Sequence, residues 1–98
     1  MAGTGEVQAP AYTWGQWRPM RSSSGGPAAS YTVTFKSISN VPTGFTAEVE
    51  YVSPTGLKTK SAFGPGSMTI ESGGGVGTDR IRFQSHGPQG QLIQFVYS

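Results

Sequence analysis

The 98-residue chain has no cysteine, and this absence excludes a disulfide framework and a thiolate zinc site. The absence of cysteine also favours assembly of the protein in a reducing compartment. The amino terminus, MAGTGEVQAP, lacks the basic and apolar regions of a secretory signal, so we predict no signal peptide. No apolar run approaches the length of a membrane-spanning helix, so we predict no membrane partner.

Charge is scarce as well. Charged residues make up 12% of the chain, and the net charge is +2. A dedicated nucleic-acid-binding domain normally carries a dense basic face, which so few charges cannot build. The composition therefore disfavours, without excluding, nucleic acid as the partner.

The chain is rich in turn formers and in residues that favour strands. It contains 15 glycines and 7 prolines, together with 2 tryptophans, 4 tyrosines and 5 phenylalanines. Apolar and polar side chains alternate through residues 31–36, 45–51, 80–84 and 93–97, which predicts half-buried strands with one face on a core. No window of helical length is free of glycine and proline, so we predict no helix of consequence.

A Pro-x-Gly triplet occurs three times, at residues 42–44, 54–56 and 88–90. Proline suits the first corner of a type I turn, and a glycine two residues later can close a three-residue hairpin loop. Each triplet therefore predicts a hairpin and its register.

The predicted registers bring complementary side chains together. The first two turns place Lys36, Glu50 and Lys60 side by side across three strands, and the third pairs Phe83 with Phe95. By the same rule, the first turn pairs Phe35 with Tyr51 and the third pairs Ile81 with Tyr97. A two-residue loop at the second turn would oppose Val49 to Lys60 and mix the core and solvent faces, so the three-residue loop is preferred.

These patterns predict an all-β domain over residues 30–98, either a small antiparallel β-sandwich or a partly open barrel of about six to seven strands. The predicted elements are a three-stranded meander (30–40, 45–53 and 57–63), a linking strand (67–72) and a C-terminal hairpin (79–86 and 91–98). Gly64–Gly66 is predicted to be a corner where the chain passes between sheets, and Gly73–Gly77 a spacer loop.

Residues 1–29 are predicted to form an extended N-terminal arm. Ser22–Pro27 is a linker by composition, yet the arm also holds both tryptophans. The candidate partner-binding residues are Tyr12, Trp14, Trp17 and Arg18. This segment either packs on the chain's own core or docks on another subunit, and the sequence leaves both open. If it docks, deleting residues 1–29 leaves a folded monomer that does not assemble.

No catalytic set emerges from the spacing of reactive residues. His86 is the single histidine and is predicted to lie in a surface loop, with no serine or cysteine partner in a catalytic spacing. Asp79 and Glu71 lie near the glycine loop but supply no evident cleft for acid–base work. We therefore expect no enzymatic activity, no metal site and no cofactor.

The function predicted on these grounds is a structural or interaction protein, specifically a small virion component such as a phage capsid decoration or tail-associated protein. It would be assembled in the cytoplasm, be located in the virion and dock through the arm on protein subunits, either copies of itself or capsid or tail proteins.

Two other functions remain open. A lectin-like, carbohydrate-binding β-sandwich would take its rings from Tyr12, Trp14 and Trp17 and its amides from Gln84, Gln91 and Gln94. A single-stranded nucleic-acid-binding barrel would use Arg80 and Arg82 on one strand face.

Overall fold

The computed structural model describes residues 3–41 and 43–98, which fold into two antiparallel sheets of four strands each. Met1, Ala2 and Pro42 (the first residue of the first predicted turn) lie outside the described residues. The strands are β1 (Gly3–Ala9), β2 (Arg18–Ser24), β3 (Ala29–Ser37), β4 (Phe45–Ser53), β5 (Gly56–Gly64), β6 (Gly66–Ser72), β7 (Val76–Ser85) and β8 (Gln91–Tyr97). No helix occurs in the described part of the chain.

The strand order is β1-β8-β3-β6 in sheet A and β2-β7-β4-β5 in sheet B. The first strand thus pairs with the last, the second with the seventh, the third with the sixth and the fourth with the fifth. This order results when one long antiparallel hairpin is rolled into two facing sheets, and it is the eight-stranded jelly roll. The predicted all-β sandwich is confirmed, and the two sheets do not close into a barrel.

The core lies between the sheets and centres on four buried phenylalanines, Phe35, Phe45, Phe83 and Phe95. The rings of the first three meet edge to face, with centroids 5.8 to 6.0 Å apart. This arrangement suits the charge distribution of aromatic rings. All four belong to the predicted alternating segments, so the alternation identified the buried face correctly.

Residues 3–24 form two strands of the sandwich, where an extended arm is predicted. β1 pairs with β8 along its whole length, and β2 pairs with β7. A Cβ on Gly5 would lie 2.6 Å from the ring of Phe95, and one on Gly3 would overlap the ring of Tyr97. The two glycines thus make room for the rings of β8 and do not mark a flexible arm. The structure has eight strands, against the predicted six to seven.

The first Pro-x-Gly turn does not form a hairpin. β3 lies in sheet A between β8 and β6, whereas β4 lies in sheet B between β7 and β5. Lys36 is opposite Gln94, and Glu50 lies between Arg80 and Thr59. The predicted meander and its row of Lys36, Glu50 and Lys60 are therefore wrong, because the chain crosses between the sheets at this loop. The Phe35–Tyr51 pair fails for the same reason.

The second turn forms the predicted hairpin, but its register is wrong by one residue. Ser53 pairs with Gly56, so residues 54–55 make a two-residue loop. Gly56 has φ of 119°, a conformation that glycine adopts readily and other residues rarely do.

This register places Val49 opposite Lys60, the pairing that the alternation disfavours. This pairing is tolerated because β5 is an edge strand. The Lys60 side chain points toward sheet A but runs along the side of the core, so its ammonium group stays exposed. Its ammonium group donates a hydrogen bond to the carbonyl oxygen of Thr69 in sheet A, at 2.9 Å. An inward-pointing lysine on an edge strand also hinders pairing with a further strand.

The third turn also connects the two sheets. β7 belongs to sheet B and β8 to sheet A, so Phe83 and Phe95 are not cross-strand neighbours. Their rings nevertheless meet across the core, with centroids 6.1 Å apart. The predicted contact exists, but the predicted hairpin, including its Ile81–Tyr97 pair, is wrong.

The predicted corner at Gly64–Gly66 is confirmed, because β5 ends in sheet B and β6 begins in sheet A. The glycine loop also makes a crossing, from β6 to β7, and is shorter than predicted, since Val76 already begins β7. Among the described strands, β4 and β5 are the one consecutive pair that is hydrogen-bonded.

Candidate functional site

The tryptophan segment, Pro10–Trp17, runs beside the end of β7 and joins β1 to β2. The amides of Tyr12 and Gly15 donate to the carbonyl oxygens of Ser85 and Phe83, at 3.0 and 2.9 Å. The amide of Ser85 donates in turn to the carbonyl oxygen of Pro10, at 3.0 Å. The segment is thus held by backbone hydrogen bonds to its own chain.

Glycine is required at position 15. A Cβ there would lie 2.5 Å from the carbonyl oxygen of Gln8 and 3.4 Å from that of Phe83. The segment therefore passes closely between β1 in sheet A and β7 in sheet B, where a side chain would not fit.

Both tryptophans stack on arginines of β7. Arg82 lies over the rings of Trp14 and Trp17, with its Cζ 4.7 and 4.4 Å from their centroids, and Arg80 lies 4.5 Å from the centroid of Trp17. These contacts connect the four side chains into one cation–π stack on the outer face of sheet B. Both indoles are half-buried in this position, so they pack on the chain's own sheet.

The same two arginines form ion pairs with β4. Arg80 Nε lies 2.7 Å from a carboxylate oxygen of Glu50, and the guanidinium of Arg82 lies 2.6 Å from Glu48. The middle of this face is thus charge-balanced. This counts against the nucleic-acid alternative, because both arginines already have carboxylate partners.

Tyr12 has a different position from the tryptophans. Its side chain is 60% exposed, and its φ of 59° is unusual for a residue other than glycine. The side-chain amide of Gln84 donates to its carbonyl oxygen at 2.7 Å and holds the turn in place.

A row of side chains crosses the outer face of sheet B from Tyr12. Thr46 is flanked by Gln84 on β7 and by Phe63 on β5, and it is hydrogen-bonded to His86. Phe63 is 78% exposed and touches the His86 ring edge to face, with centroids 5.6 Å apart. We call Tyr12, Gln84, Thr46, Phe63 and His86 the aromatic row.

Arg18, the remaining predicted site residue, lies at the start of β2 and is exposed. It lines an open cleft of about 640 Å³ at the edge of the sandwich, between β1 and the tryptophan segment. This side cleft is lined by Glu6, Val7, Gln8, Pro10, Trp14, Gly15, Gln16, Arg18 and Leu92.

The four predicted site residues therefore do not form one site. Trp14 and Arg18 share the side cleft, Trp14 and Trp17 share the cation–π stack, and Tyr12 belongs to the aromatic row. Trp14 is the residue that connects the cleft to the stack.

Sequence reasoning missed Phe63, because the three-residue loop predicted for the second turn would place this side chain on the inner face of the sheet. The error follows from the second turn, because the one-residue change of register reverses the face of every β5 side chain. It also missed Glu6 and Gln8. Their signal is in the sequence, since small or apolar residues alternate with polar ones from Gly3 to Ala9.

The residues considered for acid–base chemistry lie apart from the cleft. Asp79 is fully buried and accepts hydrogen bonds from the hydroxyl of Tyr31 and the amide of Val52, at 2.7 and 2.8 Å. Glu71 is exposed on β6. Within residues 3–41 and 43–98, no group of three or more His, Asp or Glu side chains could hold a metal ion. The same residues include no helix able to span a membrane.

Comparison with known proteins gave no match to any family model, to any curated protein or to any solved structure.

Proposed function

We propose that the chain is a non-enzymatic structural protein of a virion, a capsid decoration or tail-associated component that assembles with copies of itself or with other virion subunits. The jelly-roll strand order supports this, since the fold recurs in viral capsid proteins. Lectins and other proteins use it too, so the fold alone does not decide the function.

The observation that carries the proposal is the exposed apolar surface on the outer face of sheet B. At one end of this face Phe63 and Tyr12 are 78% and 60% exposed, and at the other Val76 and Leu57 are 80% and 58% exposed. Apolar side chains that remain in water favour contact with another protein surface. The ion-paired arginines between the two ends would form a polar centre within such an interface.

The predicted docking segment retains a role in this proposal. Tyr12 offers its ring to a partner, while Trp14 and Trp17 hold the segment on sheet B through Arg80 and Arg82. The segment would therefore dock as a preformed surface, without the entropy cost of ordering a free arm.

Sedimentation velocity of the purified chain over a range of concentrations tests whether the chain assembles with copies of itself. We expect species heavier than the 10.3 kDa monomer, and we expect Phe63→Ser and Tyr12→Ser to shift the distribution toward the monomer. The matched control is Val96→Ser, which removes an exposed apolar side chain from sheet A.

Two outcomes would reject assembly of the chain with copies of itself through sheet B. One is a wild-type chain that remains a monomer at every concentration. The other is an assembly that Val96→Ser weakens as much as Phe63→Ser does, since the contact surface would then not be sheet B.

A further inference from the structure

We propose that the side cleft is a binding site for a pyranose sugar, as found in the glycans of cell surfaces. This site is separate from the aromatic row and from the proposed assembly surface. Its volume of about 640 Å³ lies within the usual range for small-ligand sites.

The cleft combines an aromatic platform with polar side chains. Trp14 supplies an indole, on which the C–H face of a sugar ring can stack. The amides of Gln8 and Gln16 can donate and accept hydrogen bonds with neighbouring hydroxyl groups, and Glu6 and Arg18 add an acceptor and a donor. This mixture suits a polyhydroxylated ring better than a purely apolar ligand.

The polar groups of the cleft are available to a ligand. Within the described residues, neither Glu6 nor Arg18 forms an ion pair, and the side chains of Gln8 and Gln16 make no hydrogen bond to the protein. A sugar would therefore replace water at these groups and would not have to break contacts within the protein.

The platform is held in place before any ligand binds. Trp14 is stacked by Arg82, which is itself ion-paired to Glu48. The tryptophan segment is also fixed by the hydrogen bond from the Gly15 amide to Phe83. Side chains locked by such contacts lose less entropy when a ligand binds.

The shape of the cleft disfavours an added β-strand, which would be another way to use the free edge of β1. Gly15 approaches the carbonyl oxygen of Gln8 so closely that a Cβ would lie 2.5 Å from it. The tryptophan segment therefore covers the β1 edge at this point, and an incoming strand could not pair past Gln8. A compact ligand fits the remaining space.

The two tryptophans allow a direct test by NMR, because the chain should show two indole N–H signals. The full chain is titrated separately with the methyl glycosides of glucose, N-acetylglucosamine and glucuronic acid, each to roughly 10 mM to reach millimolar affinities. We expect the Trp14 signal to shift in a saturable manner, and the Trp17 signal to shift less. The titration with the glucuronide shows whether the cleft prefers an acidic sugar, which Arg18 would favour, or a neutral one.

Variants of the glutamines complete the experiment. Gln16→Ala should weaken the affinity about ten-fold, which corresponds to the loss of one good contact. It leaves Trp14 and its stack on Arg82 intact. The control is Asn40→Ala, which removes an exposed amide between β3 and β4, outside the cleft, and should not change the affinity.

The proposal is overturned if none of the three glycosides shifts the Trp14 signal. It is also overturned if the shifts map to the aromatic row, or if Asn40→Ala weakens binding as much as Gln16→Ala does. None of these outcomes depends on sedimentation, so the proposed sugar site and the proposed assembly surface can be rejected independently of each other.

Discussion

At the scale of single residues, the most constrained group is the buried carboxylate of Asp79. It accepts hydrogen bonds from the Tyr31 hydroxyl and the Val52 amide, which come from β3 and β4 respectively. The first of these bonds joins sheet A to sheet B inside the sandwich. A buried charge is tolerated only when such partners replace water. Asp79 is therefore explained as a structural group that links the sheets.

Replacing Tyr31 by Phe tests this role. The variant leaves Asp79 with one of its two hydrogen bonds, so we expect the free energy of unfolding to fall by about 1–3 kcal/mol. Urea denaturation measures the change. Tyr97→Phe is the matched control, since its hydroxyl donates to Met20 O from a partly exposed ring. An equal loss in both variants would contradict the special role of Asp79.

The same pair predicts how stability depends on pH. Burial, and then the hydrogen bond and negative charge of Asp79, raise the pKa of Tyr31 well above its ordinary value. Above about pH 10, the unfolded chain therefore loses the Tyr31 proton before the folded chain does, and stability falls as pH rises. We expect Tyr31→Phe to flatten this alkaline loss in the urea series, and an unchanged slope would count against the assignment.

At the scale of elements, the three Pro-x-Gly turns show how far local chemistry reaches. All three lie between strands, as predicted, but within the described part of the chain one forms a hairpin and the other two connect opposite sheets. A turn reverses the chain whether the next strand lies beside the previous one or across the core. The triplet therefore predicts where strands end and not which strands pair.

The tryptophan segment is the element in which side-chain stacking can be measured. A double-mutant cycle with Trp17→Leu and Arg80→Met should give a coupling energy of about 0.5–1 kcal/mol, as expected for an exposed cation–π contact. Thermal or urea unfolding of the wild type, the two single variants and the double variant measures this coupling energy. The control cycle uses Arg21, which lies over Tyr31 and not over a tryptophan, and should show no coupling with Trp17. Coupling of equal size in both cycles would show that the stack is not the cause.

At the scale of the whole molecule, the first two strands pair with the last two. β1 pairs with β8 and β2 with β7, so each sheet contains one strand from the first 24 residues. Val7 and Ala9 of β1 and Met20 of β2 are part of the core. The expectation that residues 30–98 fold alone is therefore replaced by the opposite prediction.

Deleting residues 1–29 should abolish folding, because it exposes one edge of the core and removes one of the two pairing partners of β7 and of β8. Far-UV circular dichroism and the NMR amide dispersion of the truncated chain measure the effect. A chain that begins at Gly3 is the control and should fold. A folded, stable fragment 30–98 would show that the first two strands are an accessory to the sandwich.

Much of the site could not be predicted because it depends on contacts between distant segments. Trp14 and Trp17 stand out by type, but their stacking on Arg82 and Arg80 needs β7 to lie beside residues 10–17. The exposure of Phe63 depends on a loop that is one residue shorter than the triplet suggests. Glu6 and Gln8 become part of a cleft only because β1 forms an edge of sheet A.

The sequence by itself determined the all-β class, the bounds of most strands and, on the predicted strands other than β5, which face is buried. These follow from a two-residue alternation and from turn residues, and both are local properties of the chain. The tertiary structure alone decided which strands pair, which turns cross between the sheets and where the tryptophans lie. The physical reason is that a strand's buried face looks the same in sequence whether its neighbour is hydrogen-bonded beside it or packed across the core. Phe83 and Phe95 show this, since their contact was foreseen and its geometry was not.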